Sequence, residues 1–152
     1  MAHHQILIVG GGAGGIAVAA SLHKRDSGLG IAIIEPADTH YYQPGWTMVG
    51  GGVFTREQTA HTMASVMPGF VTHIKGAAAT FQPDDNSVTL ENGDVVTYDY
   101  LVVAAGLKLD WGAVEGLEET LGKNGVTSNY RFFAAHFPNE FPRIGRQIVA
   151  IV

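Results

Sequence analysis

The stretch Ile-Leu-Ile-Val-Gly-Gly-Gly-Ala-Gly-Gly at residues 6–15 decides the fold, because a short apolar run there leads directly into a glycine-rich turn. Residues 6–9 are apolar without alternation, which is typical of a parallel strand covered on both faces. Small and apolar residues then recur at helical spacing from residue 13 to about 24, and a second apolar run occupies residues 31–34. A strand, a helix and a strand within about thirty residues predict a right-handed βαβ crossover.

The glycines of the turn follow the spacing Gly10-x-Gly12-x-x-Gly15, which is typical of dinucleotide-binding turns when it lies between a strand and a helix. In such a turn Gly10 allows a tight reversal, Gly12 lets the backbone approach a pyrophosphate, and Gly15 lets the helix pack on the sheet. The helix N-terminus, which includes Ala13 and Gly14, offers N–H groups and a partial positive charge to phosphates. The stretch therefore predicts a site for an adenosine pyrophosphate.

Glu35 follows the second apolar run, twenty residues after Gly15. A carboxylate at the end of this strand accepts hydrogen bonds from both hydroxyls of an adenosine ribose and repels a 2′-phosphate, so NADP is disfavoured. These residues alone do not separate NAD from FAD, because both ligands contain an adenosine pyrophosphate. The alternative interpretation is a glycine-rich turn and a surface glutamate without a ligand.

The composition limits the classes of function. A chain of 152 residues buries one ordinary core, so we expect one domain or a piece of a larger one. Its net charge of −5 argues against nucleic acid, which requires a basic face. No window approaches the roughly 20 apolar residues of a membrane span, and the apolar run from residue 6 leaves no room for a signal peptide. We therefore expect a cytoplasmic bacterial protein.

Side chains that could carry chemistry of their own are scarce. The chain has no cysteines, so it lacks disulfides, thiolate metal ligands and cysteine nucleophiles. No Gly-x-Ser-x-Gly elbow presents a serine nucleophile, and we predict no catalytic residue. The histidines are too scattered along the chain to predict a metal site, and packing or solvated roles are expected for them; they include His3, His4, His23, His61 and His136.

Residues 39–66 predict a loop followed by a helix. The segment 39–54 has no sustained period, which indicates a long ordered loop of the kind that is often functional. Thr55 and Gln58 have the spacing of a capping box, so a helix is predicted to begin there and to end at residue 66, before Pro68.

An antiparallel meander is predicted to interrupt the α/β pattern. The strand candidates are residues 70–75, 77–81, 87–90 and 95–97. Asn92-Gly93 favours a tight hairpin before the last of these, because both residue types tolerate positive φ. Residues 101–104 then predict a separate buried strand that ends at Gly106. The predicted fold class is α/β, a Rossmann-like unit with a parallel sheet plus an inserted antiparallel β-meander, in an incomplete domain.

The segment Tyr-Asp-Tyr-Leu-Val-Val-Ala-Ala-Gly at residues 98–106 resembles the returning strand of the two-dinucleotide-domain flavoproteins, the family of disulfide reductases and their membrane-associated relatives. In that family the strand ends against FAD, and the resemblance therefore implies that Gly106 lies beside this cofactor. The alternative is an ordinary core strand that ends at a glycine.

The loop His-Tyr-Tyr-Gln-Pro-Gly-Trp-Thr-Met-Val-Gly-Gly-Gly at residues 40–52 resembles the corresponding loop of sulfide:quinone oxidoreductases. Type II NADH dehydrogenases have a related Gln-Pro but differ in the Trp-Thr and the glycines that follow. The resemblance implies that Gln43 and the backbone of Ala78 contact FAD, together with the glycine turn and Glu35. The Trp and Tyr side chains of the loop are equally compatible with simple packing.

The resemblance covers roughly residues 4–130, and it implies an FAD-binding Rossmann-type domain at 1–130 followed by an atypical tail at 131–152. Enzymes of this kind pass two electrons from sulfide, through a redox cysteine pair and FAD, to a membrane quinone. Because the chain has no cysteine, we predict the N-terminal FAD-binding part of such an enzyme, inactive alone. The alternatives are a fragment of a type II NADH:quinone oxidoreductase and a nucleotide-binding module without turnover.

Two further expectations follow from this resemblance. A full-length enzyme of the kind would attach peripherally to the inner face of the bacterial plasma membrane. An isolated part of the larger fold would expose apolar surface and self-associate.

Overall fold

The computed structural model describes residues 2–123, 126, 128 and 130. The predicted tail at 131–152 lies outside these residues. The described residues divide into two compact units, one formed by residues 2–40 and 61–107 and the other by residues 41–60 and the described residues from 108 to 130.

The first unit contains a six-stranded sheet, and short elements make up much of the second. The described strands are β1 (Ala2–Val9), β2 (Ile31–Ile34), β3 (Thr39–Tyr41), β4 (Ala60–Thr62), β5 (Thr72–Ile74), β6 (Ala78–Gln82), β7 (Ser87–Leu90) and β8 (Val95–Val103). The described α-helices are α1 (Ala13–Arg25), α2 (Trp46–Gly50), α3 (Met63–Val66) and α4 (Leu117–Thr120). Single 3-10 turns occupy Gln43–Gly45, Glu57–Thr59, Pro83–Asp85 and Trp111–Ala113. None of the helices in the described ranges is long and apolar enough to cross a membrane.

The sheet order β5-β2-β1-β8-β7-β6 confirms the predicted α/β fold class. Strands β5, β2, β1 and β8 are mutually parallel, β7 is added antiparallel to β8, and β6 is added antiparallel to β7. Strands β3 and β4 pair in a separate two-stranded sheet. The predicted strand, helix and strand at the start of the chain are β1, α1 and β2, and β1 begins earlier than residue 6 because its first residues pair with β8.

Apolar side chains of β1 and β2 alternate between the two faces of the parallel strands, as expected of strands covered on both sides. One buried cluster contains Ile6, Ile8, Ala19, Ile31 and Ile33, and it joins the strands to α1. The other contains Leu7, Val9, Ala32, Ile34, Val88, Leu90, Val96 and Tyr98, and it joins the strands to the meander. The parallel strands are therefore the middle layer between α1 and the meander.

The meander folds over the parallel strands rather than extending them as a flat sheet. Three residues separate β5 from β6, although these strands lie at opposite edges of the sheet. Four residue steps span at most about 14 Å, whereas five interstrand spacings of a flat sheet would need about 24 Å. A Cβ atom built on Gly76 would lie 3.3 Å from Cδ1 of Leu90, so the connection runs directly beside β7.

The meander and the returning strand are continuous, which corrects the prediction of separate strands at 95–97 and 101–104. Strand β8 pairs with β7 through Val95–Thr97 and with β1 from Val96 to Val103, so the pairing with β1 holds residues 98–100 extended. The end of β8 is also more exposed than predicted for a buried strand. Tyr100 is 67% exposed and Val103 is 59% exposed.

A single helix over residues 55–66 was the wrong prediction, although its capping box forms. Gln58 Oε1 accepts a hydrogen bond from the Thr55 N–H at 2.7 Å, and Thr55 Oγ1 accepts one from the Gln58 N–H at 3.4 Å. The helix stops after one 3-10 turn, because the carbonyl of Thr59 accepts the N–H of Tyr42 at 2.8 Å instead of a helical donor. Thr62 then caps the separate helix α3 by accepting the Ser65 N–H.

The segment 39–54 is less irregular than the predicted loop. It contains β3, a 3-10 turn and α2. Within the second unit, the ring of Trp46 meets those of Tyr41 and Tyr130 edge-on, at centroid distances of 6.0 and 5.7 Å. These aromatic side chains therefore have the packing role that was one of the two interpretations of the loop.

We expect Gly15→Ala to destabilise the fold. A Cβ atom at Gly15 would lie 1.9 Å from the carbonyl oxygen of Gly10, so α1 must move away from β1. Overpacking of this kind costs about 1–3 kcal/mol in the free energy of unfolding, which urea titration measures. Gly14→Ala is the matched control on the same helix, because its Cβ meets only the methyl group of Ala104 at 3.9 Å. Gly14→Ala should leave stability unchanged or raise it by up to about 1 kcal/mol, and equal effects of the two substitutions would contradict the packing argument.

Candidate functional site

The candidate site lies where the parallel strands end. The carboxyl ends of β5, β2, β1 and β8 lie at one edge of the sheet, since all four strands run in the same direction. From β1 the chain continues to β2 on one side and returns later as β8 on the other, so the strand order reverses between β1 and β8. Open α/β sheets bind ligands outside the carboxyl ends of the strands at such a switch point.

Gly10 begins the turn at this switch point, and no larger residue fits there. Its φ is +108°, and a Cβ atom would lie 2.3 Å from the carbonyl oxygen of Ala104. The Gly10 N–H donates to the Ile34 carbonyl at 2.9 Å, and the Ala104 N–H donates to the Val9 carbonyl at 2.8 Å. The turn is thereby attached to the strands on both sides of β1.

The N-terminus of α1 is open at Gly12. Gly12 is the N-cap residue without a side-chain cap, and a Cβ atom there would meet nothing within 4 Å. The first helical hydrogen bond runs from the Ile16 N–H to the Gly12 carbonyl, so the N–H groups of Ala13 and Gly14 have no acceptor within the helix. No acidic residue lies in the first turn, and the last turn contains basic residues that complement the helix dipole. The thirteen-residue helix therefore presents a positive end that no side chain of its own first turn neutralises.

The carboxylate of Glu35 is held beside this end by two backbone donors. Its Oε2 accepts the Gly11 N–H at 2.7 Å, and its Oε1 accepts the Ala37 N–H at 2.7 Å. Each carboxylate oxygen offers about two acceptor positions, so each retains capacity for one further donor. The structure thus brings Glu35 together with the glycine turn, as the sequence predicts.

The other three candidate residues are placed separately. Gly106 follows β8 with φ of +79°, is exposed, and has no atom within 4 Å of a Cβ position. Ala78 is the first residue of β6 and packs at the edge of the cluster beneath the meander. Gln43 belongs to the second unit, where it begins the 3-10 turn Gln43–Gly45. Contact of these three residues with a cofactor stays a prediction.

Sequence reasoning missed several partners of the turn. The contact of Ala104 with Gly10 joins residues 94 positions apart, and no local pattern indicates such a pair. Gly11 and Ala37 act through their backbone N–H groups, which every non-proline residue has. Within the described ranges, no group of three or more His, Asp or Glu side chains is arranged to hold a metal ion.

The chain is similar to known sulfide:quinone oxidoreductases. The chain is 47% identical over 138 residues to the mitochondrial sulfide:quinone oxidoreductase of Dictyostelium discoideum, and the match covers 90% of this chain and 30% of that protein. The crystal structure of sulfide:quinone oxidoreductase from Aquifex aeolicus superposes with a TM-score of 0.75 and 30% identity, over 97% of this chain and 33% of that one. The chain therefore spans about a third of the length of these relatives, and it is similar to an N-terminal portion of them.

A more distant structure shares the fold. NDH2 from Plasmodium falciparum, solved in complex with NADH, superposes with a TM-score of 0.59 and 16% identity, over 76% of this chain and 25% of that one. This level of identity shows the fold alone, so sulfide:quinone oxidoreductases are the better supported resemblance. The sequence pattern of the pyridine nucleotide-disulphide oxidoreductases matches residues 4–152, and the chain belongs to that family.

Proposed function

We propose that this chain binds FAD through the glycine turn and Glu35, as the cofactor-binding part of a flavin-dependent oxidoreductase. One observation carries the proposal: the uncapped N-terminus of α1 lies beside a carboxylate that two backbone donors hold in place. Anions bind favourably at an uncapped helix N-terminus, and ribose hydroxyls donate hydrogen bonds to a carboxylate. FAD contains both groups in its adenosine diphosphate half.

The residues of the turn fit a pyrophosphate. Gly12 leaves open space where a side chain would otherwise block the approach, and the adjacent N–H groups of Ala13 and Gly14 need acceptors. Negatively charged oxygens satisfy these donors and interact favourably with the helix dipole. Gly15 contributes indirectly, because its close contact with Gly10 brings the helix N-terminus to the end of β1.

The carboxylate of Glu35 fits an unmodified ribose. Its two remaining acceptor positions suit two hydroxyl donors, whereas a 2′-phosphate would place negative charge against negative charge. This geometry favours FAD or NAD over NADP. The choice of FAD rests on the similarity to sulfide:quinone oxidoreductases, and Gln43, Ala78 and Gly106 are proposed as further contacts of this cofactor. When bound, the flavin would supply the two-electron redox chemistry that the side chains of this chain lack.

The larger reaction is proposed from the relatives. Their names state sulfide as the donor and a quinone as the acceptor, and we propose that a complete enzyme containing this chain uses both. Residues 1–130 would form its FAD-binding domain, with 131–152 as a separate tail. A cytoplasmic location is proposed for the chain, and peripheral attachment to the inner face of the plasma membrane for the complete enzyme, since a membrane quinone is reached there.

Purified protein is expected to retain flavin, with absorbance near ~450 nm, and Glu35→Ala should weaken FAD binding about tenfold or more. The substitution removes the acceptor for two ribose hydroxyls, and hydrogen bonds to charged groups are worth about 1.5–3 kcal/mol. Isothermal titration calorimetry with added FAD measures the change.

Asp84→Ala is the control for this experiment, because it removes an exposed carboxylate from the turn between β6 and β7. Its FAD affinity should equal that of the wild type. A colourless wild-type protein that takes up no added FAD would refute the proposal.

The 152-residue chain alone should not catalyse sulfide-dependent quinone reduction. The proposed route needs a cysteine disulfide, which sulfide attacks so that the released thiolate can pass the electron pair to FAD, and the chain contains no cysteine. The assay follows quinone absorbance with sulfide and FAD present, and a full-length relative with its cysteines provides the positive control. Turnover by the pure chain above the rate of free FAD would show that the reaction here does not require a protein thiolate.

The chain alone is also expected to self-associate. Apolar side chains near the end of β8 are open to solvent, with Leu107 87% exposed and Tyr100 67% exposed. Size-exclusion chromatography with light scattering should give a mass that rises with concentration. Leu107→Glu should shift the protein toward the monomer at little cost in stability, because the side chain is almost fully exposed. A monomer at all concentrations would contradict this expectation.

A further inference from the structure

The segment that follows β2 contains Glu35, and β5 holds its backbone in place. The Glu35 N–H donates to the Ile74 carbonyl at 3.0 Å. The Glu35 carbonyl lies 3.2 Å from Nε2 of His73. A carbonyl oxygen only accepts hydrogen bonds, so Nε2 of His73 is the donor in this contact. Both backbone polar groups of Glu35 are therefore bonded to neighbouring residues of one strand.

The residue after Glu35 makes the contact with His73 more important. Pro36 has no N–H group, so the peptide between Glu35 and Pro36 can be tethered only through its carbonyl oxygen. The side chain of His73 is the partner of that oxygen. Without the His73 side chain, the Glu35 carbonyl loses this hydrogen-bond donor. Ala37, whose N–H orients the Glu35 carboxylate, follows two residues later in the chain.

Further along the segment, Asp38 makes two more attachments. The Met63 N–H donates to the carbonyl of Asp38 at 2.7 Å, and the ammonium group of Lys75 pairs with the Asp38 carboxylate. The hydrogen bond from Lys75 lowers the pKa of Asp38, so this carboxyl is charged at neutral pH. Both groups of the pair are well exposed to solvent, and exposed ion pairs contribute little to stability. The contact of His73 with the Glu35 carbonyl is half-buried, so solvent screens it less than this exposed ion pair.

We propose that His73 is a positioning residue for the nucleotide site, which holds the Glu35 peptide so that the carboxylate stays oriented toward the Gly11 and Ala37 N–H groups and a bound ribose. This inference rests on the proposed function, since the ribose belongs to the proposed cofactor. His73 acts through Glu35 and does not itself contact the ligand. Its loss should therefore affect the orientation of one carboxylate and leave the core of the sheet intact.

The first test uses the protein without ligand. His73→Leu removes the donor at similar volume, whereas His73→Gln retains an amide N–H at about the position of Nε2. Hydrogen exchange of the Gly11 and Ala37 amides, followed by NMR, should be several-fold faster in His73→Leu and close to wild type in His73→Gln. Amides of β1, such as that of Ile8, serve as the internal reference. Unchanged exchange at Gly11 and Ala37 in His73→Leu would overturn the proposal.

The second test uses ADP and 2′-deoxy-ADP as probes of the adenosine half of FAD. His73→Leu should weaken ADP binding about threefold to tenfold, as expected for the loss of one hydrogen bond, and His73→Gln should restore most of it. The loss should be clearly smaller for 2′-deoxy-ADP, which lacks one of the hydroxyls that Glu35 would accept. An equal loss for both probes would indicate a general structural effect and would overturn the positioning role.

The two proposals fail in different ways. If the wild type binds neither ADP nor FAD, the proposed function is wrong, and the exchange measurement still decides whether His73 orients Glu35. If the wild type binds ADP and His73→Leu binds it equally well, only the positioning role is wrong. Thermal unfolding without ligand establishes that each variant is folded. Should His73→Leu not fold, His73→Asn replaces it, because its shorter amide does not reach the Glu35 carbonyl.

Discussion

The closeness of three backbone segments at Gly10 is the constraint on which the rest of the structure depends. The carbonyl of Ala104 approaches from β8, the backbone of Gly15 lies against the carbonyl of Gly10, and the Gly10 N–H is bonded to Ile34. No Cβ atom fits at either glycine. Because these contacts join backbone to backbone, they fix the helix N-terminus relative to the strand ends with little freedom for adjustment. The position of the proposed phosphate site follows from that junction.

The features that could be predicted from the sequence are those that neighbouring residues encode. An unbroken apolar run, a glycine spacing and a helical period lie within residues 6–25, and the observed β1 and α1 follow them closely. Glu35 could be identified because the turn and the second strand set its distance from Gly15. The Asn-Gly pair likewise places the hairpin between β7 and β8 correctly. In each case the interactions that decide the local structure join residues that are close together in the sequence.

The wrong predictions concern segments that distant residues control. The capping box at Thr55 forms, yet a hydrogen bond from Tyr42 takes the carbonyl that a helix would have used. Strand β8 is continuous because β1 pairs with it from Val96 to Val103, which apolar runs at 95–97 and 101–104 cannot indicate. The role of His73 is similar, since it depends on the adjacency of β2 and β5 and on a carbonyl that precedes a proline. These effects come from tertiary contacts, which the helix and strand propensities of single residues do not predict.

The pairing of β1 with β8 also sets a time at which the site can form. Residues 10 and 104 must meet before the glycine turn is complete, so the turn emerges from the ribosome long before its partner. At about 5–20 residues per second, the 94 intervening steps take roughly 5–20 s, during which β1 lacks one of its neighbours. The backbone N–H and C=O groups of β1 that later bond to β8 are then unpaired. In a chain with this topology the glycine turn reaches its final form only after β8 has been synthesised and has paired with β1.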